Sequence, residues 1–189
     1  MKTRSKLLAA LVASVFALGA CSSDGGGGDS VSPEAYAQGL CGGLQTYLTS
    51  VQTLTTDFTT GLDPAASLDD QKASVVDYLG QVIGATDTLI ADVDAAGVPD
   101  VDAADALVAA VNGSFQDAKT VLEDARTQVE ALTTDDPQAF ATELNEIGVA
   151  IQSSLGGIGD SLSELETPEL SEAVQGEPAC QDVAATTGI

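Results

Sequence analysis

Along four consecutive stretches of this chain, apolar residues return every third or fourth position. That spacing admits little besides long amphipathic helices packed on one another. In the first stretch, from about Pro33 to Thr60, Leu40, Leu44, Tyr47, Val51, Leu54 and Phe58 follow in steps of 4, 3, 4, 3 and 4, a heptad seam. Ser32 is placed to cap this helix, with Pro33 at its first position, and Gly61 and Pro64 close it. The second stretch, Leu68 to Ala96, carries Val75, Leu79, Val82, Leu89 and Val93 in one stripe, widened by Val76, Ile83 and Ile90. Ser67-Leu68-Asp69-Asp70 reads as a capping box with Asp in place of Glu, and Gly97 and Pro99 stop the helix. The third, Val101 to Thr133, has its seam at Ala104, Val108, Val111, Phe115, Ala118, Leu122, Ala125, Val129 and Leu132, with Asp100 or Asp102 as cap. The fourth opens at Asp136-Pro137 and runs through Phe140, Leu144, Ile147, Ile151, Ile158, Leu162 and Leu165 to about Glu166. A short helical turn is expected after Thr167-Pro168.

No window alternates with period two over a useful length, so strands are not expected. The fold class expected is all-α: an antiparallel up-down four-helix bundle with long helices and short loops. In that topology the start of the first helix and the end of the fourth share one end of the bundle. The hairpin between helices two and three lies at that same end.

Ahead of the helices the chain changes character. Lys2, Arg4 and Lys6 give a positive start, and Leu7 to Gly19 is an apolar run of 13 residues. Such a run is short for a membrane span and suits the hydrophobic part of an export signal. It ends in Leu18-Gly19-Ala20-Cys21, which resembles the lipobox of bacterial lipoprotein signal peptides. The resemblance covers Met1–Cys21 and implies cleavage before Cys21 and a diacylglycerol thioether on its sulfur. Gly19 is a less usual residue for its place. The competing readings are a plain secretory signal cut after Ala20 and an uncleaved anchor. Ser22–Ser32 (SSDGGGGDSVS) reads as a flexible tether, spanning on average roughly 18 Å as a Gly/Ser coil. The chain thus divides into a signal peptide at 1–20, a lipidated cysteine and tether at 21–32, and a helical domain at 33–189.

Three cysteines then sort themselves. With Cys21 assigned to lipid, Cys41 and Cys180 remain, and an exported chain sits where two such thiols pair rather than stay reduced. Two buried free thiols are the alternative. The bundle topology brings the two positions to one end, independently of the redox argument. Together, the lipobox, the Ala/Thr/Asp-rich and Lys-poor composition and the disulfide-closed helical domain resemble the small lipoproteins of actinobacteria. Beyond Cys21 the resemblance implies no functional residues. It implies a protein lipid-anchored on the extracytoplasmic face of the cell membrane.

Composition excludes several chemistries. There is no His, and hence no Ser-His-Asp triad, no Cys-His dyad and no histidine metal site. With 29 acidic and 6 basic side chains the formal net charge is −23, which argues against nucleic acid as a partner. Loss of the signal would leave Lys72, Lys119 and Arg126 as the basic residues of the mature chain.

Four places remain where chemistry could sit. Asp92, Asp94, Asp100 and Asp102 crowd the hairpin between helices two and three, a weak calcium candidate without EF-hand spacing. The plainer reading puts Asp100, Asp102 and Asp105 in the first turn of helix three, where negative charge is favoured. Gly156, Gly157 and Gly159 on helix four, with Gly39, Gly42 and Gly43 on helix one, suggest either close packing or a local opening for a ligand between those helices. Lys72 and Thr86 interrupt the seam of helix two, the first able to snorkel outward and the second to bond back to its own helix. Thr46, Thr49, Thr53, Thr55, Thr56, Thr59 and Thr60 give helix one a polar, uncharged face, either a protein contact or glycosylation site or a compositional bias. Acid pairs such as Glu143 and Glu146 lie opposite the seam and read as solvated charges, not catalytic ones.

The function expected is a non-enzymatic interaction or envelope-associated role, without cofactor, with the membrane and an envelope protein as partners. The alternatives are a carrier of an apolar small molecule or lipid between helices, and a calcium-dependent envelope protein.

Overall fold

The computed structural model describes residues 30–63, 65–163 and 168–187, with the backbone alone for 155–163 and 186–187. The stretch expected to be a signal peptide, Cys21 and most of the expected tether lie outside the described residues. The fold is all-helical, as the apolar periodicity demands: α1 (Pro33–Gly61), α2 (Leu68–Ala95), α3 (Ala104–Ala131), α4 (Pro137–Ser163), α5 (Pro168–Gly176) and α6 (Pro178–Thr187). Where one short turn was expected after Thr167, two helices follow.

Local chemistry sets most of the boundaries. The Ser32 hydroxyl accepts a hydrogen bond from the Ala35 amide at 3.2 Å and opens α1. The Ser67 hydroxyl accepts from the Asp70 amide at 3.2 Å and donates to the Asp70 carboxylate at 2.7 Å, so the shortened acid closes the box onto the hydroxyl. The Asp136 carboxylate accepts from the amides of Gln138 and Ala139 and opens α4 at Pro137. Gly97, at φ +84°, takes the left-handed turn that ends α2. Helix three departs from expectation. It begins at Ala104 rather than Val101, and its N-cap is Ala103 at φ 57°, with no side-chain cap. Neither Asp100 nor Asp102 caps it. Both precede the helix, and Asp105 is the acid in its first turn.

Helices α1 and α2 run antiparallel, pairing Gly39 with Ala96 at one end and Phe58 with Tyr78 towards the other. Helices α2 and α3 do likewise, from Asp94–Asn112 through Asp87–Lys119 to Lys72–Glu130. Beside a smaller cluster of Ala37, Cys41, Ala173 and Cys180 that joins α1, α5 and α6, two larger apolar clusters fill the interior. One, around Leu79, Val82, Leu122, Val129, Phe140 and Ile147, joins α2, α3 and α4. The other, around Tyr36, Leu89, Val93, Val111, Phe115 and Leu170, joins α1, α2, α3 and α5.

The first helix differs most from its sequence pattern. Its seam residues from Leu40 to Phe58 are half-buried, whereas Tyr36, Ala37 and Cys41 are fully covered. The reason is the C-terminal pair α5 and α6, which packs on the first turns of α1 and gives it a second buried face. In α3, Leu107 is buried in place of the expected Val108.

A two-residue parallel pairing was also not foreseen: Ser30–Val31 lies against Val98–Pro99. The Asp100 amide donates to the Val31 carbonyl at 2.8 Å. The last residues of the stretch expected to be a flexible tether are therefore part of the fold from Ser30 onward, seated on the turn between α2 and α3. Two residues are too few to register as alternation.

Candidate functional site

Cys41 and Cys180 form a disulfide across a separation of 139 residues. Both are buried beside Ala37 and Ala173. The bond fastens α6 to α1, and an exposed hydrogen bond from Gln45 to Asp182 lies alongside it. Cys21, the position expected to carry lipid, lies outside the described residues.

The acidic hairpin does not converge. Asp92 is half-buried against α1, Asp94 accepts a hydrogen bond from Asn112 at 2.7 Å, and Asp100 and Asp102 are exposed. Among the described residues no group of three or more acidic or cysteine side chains is arranged to hold a metal ion. Nearby, the Ser32 hydroxyl and the helix backbone meet Glu34. Hydrogen bonding from its own backbone amide, and then from Ser32, holds its carboxyl below the ordinary range.

The glycines of helix one serve close packing, and their partner is α2 rather than α4. A Cβ on Gly39 would lie 2.7 Å from the Ala96 Cβ, and one on Gly43 would lie 3.0 Å from the Asp92 Cβ; Gly42 faces open space. At Gly39 and Gly43 the neighbour is thus the end of α2. Gly156, Gly157 and Gly159 fall within α4, and their surroundings lie outside the described residues.

Both interruptions of the α2 seam are structural. The Thr86 hydroxyl, fully buried, donates to the Val82 carbonyl at 3.0 Å. The Lys72 ammonium does not simply snorkel to water. It donates to the carbonyls of Glu130 and Leu132 at 3.2 and 3.0 Å, closing the C-terminus of α3 where a cation is favoured. The Asp87 carboxylate beside Lys119 raises that ammonium above its usual range, chiefly through a hydrogen bond, with Glu123 adding to it. Arg126 pairs with Glu130. All three cations of the helical domain therefore lie along α2 and α3.

The threonine face of α1 is exposed throughout, and each hydroxyl donates to the carbonyl four residues earlier, for instance Thr49 to Gln45 and Thr56 to Gln52, both at 2.9 Å. These groups satisfy themselves within the helix.

Sequence reasoning missed a groove between α1 and α2 near the loop that joins them. It has a volume of about 270 Å³ and is walled by Leu54, Phe58, Leu62 and Tyr78, with Asp57 and Asp77 at its sides. Phe58 and Tyr78 stack with ring centroids 4.8 Å apart. Phe58 lies on the expected seam and Tyr78 on no expected stripe. The available signal was that a short loop puts both rings at the same end of an antiparallel pair.

No known protein family, no curated protein and no solved structure matches this chain. Among the described residues no helix is long and apolar enough to cross a membrane.

Proposed function

We propose that this chain is a lipid-anchored protein of the extracytoplasmic face of the cell membrane, with a non-enzymatic interaction role in the envelope. One observation carries the reading: Cys41 and Cys180 take each other. Cys21, at the end of an apolar run and a lipobox-like tetrapeptide, is then the one cysteine left over. Two acyl chains on such a residue suffice for stable anchoring, where one chain would bind marginally. We read α1–α4 as the up-down bundle expected from the periodicity, with the antiparallel α1–α2 and α2–α3 pairs and the seating of α4 on α3 in its favour. The seating of Ser30–Val31 on the α2–α3 turn supports reading that end of the domain as the one nearer the anchor. The absence of histidine and the scatter of the acids among the described residues are why an interaction role is preferred to catalysis.

The test is metabolic labelling with radioactive palmitate, together with membrane fractionation of Cys21→Ala. Label in the wild-type chain and release of the variant from the membrane are expected. An unlabelled chain, or a variant that stays membrane-bound, overturns the anchoring.

A further inference from the structure

Whereas the groove between α3 and α4 sets Leu132 and Ile147 beside Glu143 and Glu146 with no aromatic residue, the groove between α1 and α2 sets an aromatic pair beside carboxylates. Its floor is aromatic and aliphatic, with the stacked Phe58–Tyr78 pair, Leu54, and Leu62 exposed to 42%. Large exposed apolar side chains are few among the described residues, Leu62 and Val149 being those that stand out. Its sides carry the exposed carboxylates of Asp57 and Asp77, and no basic residue lines it. The nearest cation along α2, Lys72, is committed to the carbonyls at the end of α3. The Tyr78 hydroxyl shares a hydrogen bond with Thr55 at 3.0 Å, which fixes the ring from the α1 side.

Aromatic faces flanked by carboxylates attract organic cations: the ring quadrupole and the anions act on the same charge, and the apolar floor takes the aliphatic stem. A guanidinium adds planar stacking and paired hydrogen bonds to carboxylate. The surrounding surface, strongly anionic overall, steers cations in and anions away. We propose that this groove is the docking site for a cationic partner segment, in which an Arg or Lys side chain lies across Phe58 and Tyr78 between Asp57 and Asp77, and a neighbouring apolar residue covers Leu62. The inference rests on the interaction role proposed above and names the chemistry of its partner. It is independent of lipid anchoring, so the palmitate experiment and the one below fail separately.

The full chain in non-ionic detergent is titrated against a fluorescein-labelled octapeptide alternating Arg and Leu, followed by anisotropy, with the Glu/Leu octapeptide as control. Saturable binding of the Arg/Leu peptide alone is expected. The D57N/D77N double variant is expected to weaken it at least tenfold, and Tyr78→Leu several-fold, both with unchanged far-UV circular dichroism. The E143Q/E146Q double variant removes equal charge from the α3–α4 face and is expected to change affinity less than twofold. Equal loss in both double variants, which would signal attraction to net charge alone, overturns the site. So does absence of binding at millimolar peptide. Should Tyr78→Leu lose its helicity, Leu62→Asn replaces it, and an unchanged affinity there removes the apolar part of the proposal.

Discussion

Gly39 of α1 and Ala96 of α2 approach so closely that a single methyl group on the glycine would lie 2.7 Å from the alanine Cβ and 3.1 Å from its Cα. The obstacle is partly backbone and cannot rotate away. Gly39→Ala is therefore expected to force the two helices apart and to lower stability by about 1–3 kcal/mol. Gly42, three residues on, has nothing within 4 Å of its would-be Cβ. Gly42→Ala is expected to raise stability by about 0.5–1 kcal/mol, the ordinary helix gain over glycine. Urea unfolding of the two variants checks the pair, and shifts of the same sign would contradict the packing.

Tyr36 is fully buried, and its hydroxyl has no hydrogen-bond partner among the described residues. Burial raises its pKa above the ordinary tyrosine value. The sign follows: the unfolded chain loses this proton first, so stability is intact below about pH 10 and falls as pH rises beyond it. Tyr36→Phe removes the orphan hydroxyl while keeping the ring among Leu89, Val93 and Leu170. It is expected to be neutral or stabilising by about 1 kcal/mol at pH 7 and to flatten the alkaline decline. Thermal melts at pH 7, 10 and 11 test both statements. A steeper alkaline loss in the variant would contradict them.

Lys72 ties the first turn of α2 to the last carbonyls of α3. Lys72→Met keeps the aliphatic stem and removes the donor. A loss of about 1 kcal/mol is expected, seen as a fall of roughly 2–4 °C in melting temperature. Added salt should narrow the gap between variant and wild type. An unchanged melt would mean that water replaces the ammonium without cost.

Cys41→Ala with Cys180→Ala opens a link across 139 residues. The expected cost is about 2–5 kcal/mol. Limited proteolysis should then cut first within α5 and α6, because α1 and the disulfide are what hold them. Calorimetry and mapping of the first cleavage sites check the size and the place of the effect.

The sequence is legible where a local rule decides. Ser32, Ser67 and Asp136 each declare a helix start, and Gly97 declares an end, because capping and left-handed turns depend on a few adjacent residues. The disulfide was legible because cysteine count and helix topology point to the same pair. What failed was long-range. No property of Leu40 or Leu44 says that α5 and α6 will cover the neighbouring face of α1, leaving the seam half-exposed and burying Tyr36 and Ala37 instead. Ala103 starts α3 in a left-handed conformation that its own side chain does not favour, so the cap expected at Asp100 or Asp102 could not be corrected from sequence. The groove at Phe58 and Tyr78 needs two helices in register before it exists at all.

The pairing of Ser30–Val31 with Val98–Pro99 has a mechanical meaning. Any pull on the segment that precedes Ser30 meets this short parallel strand pair first. The load passes through the Val31 carbonyl and the Asp100 amide into the turn between α2 and α3. It reaches that turn before it reaches the first residues of α1. Two residues that look, in the sequence, like the tail of a linker thus stand between such a pull and the helix that carries Cys41.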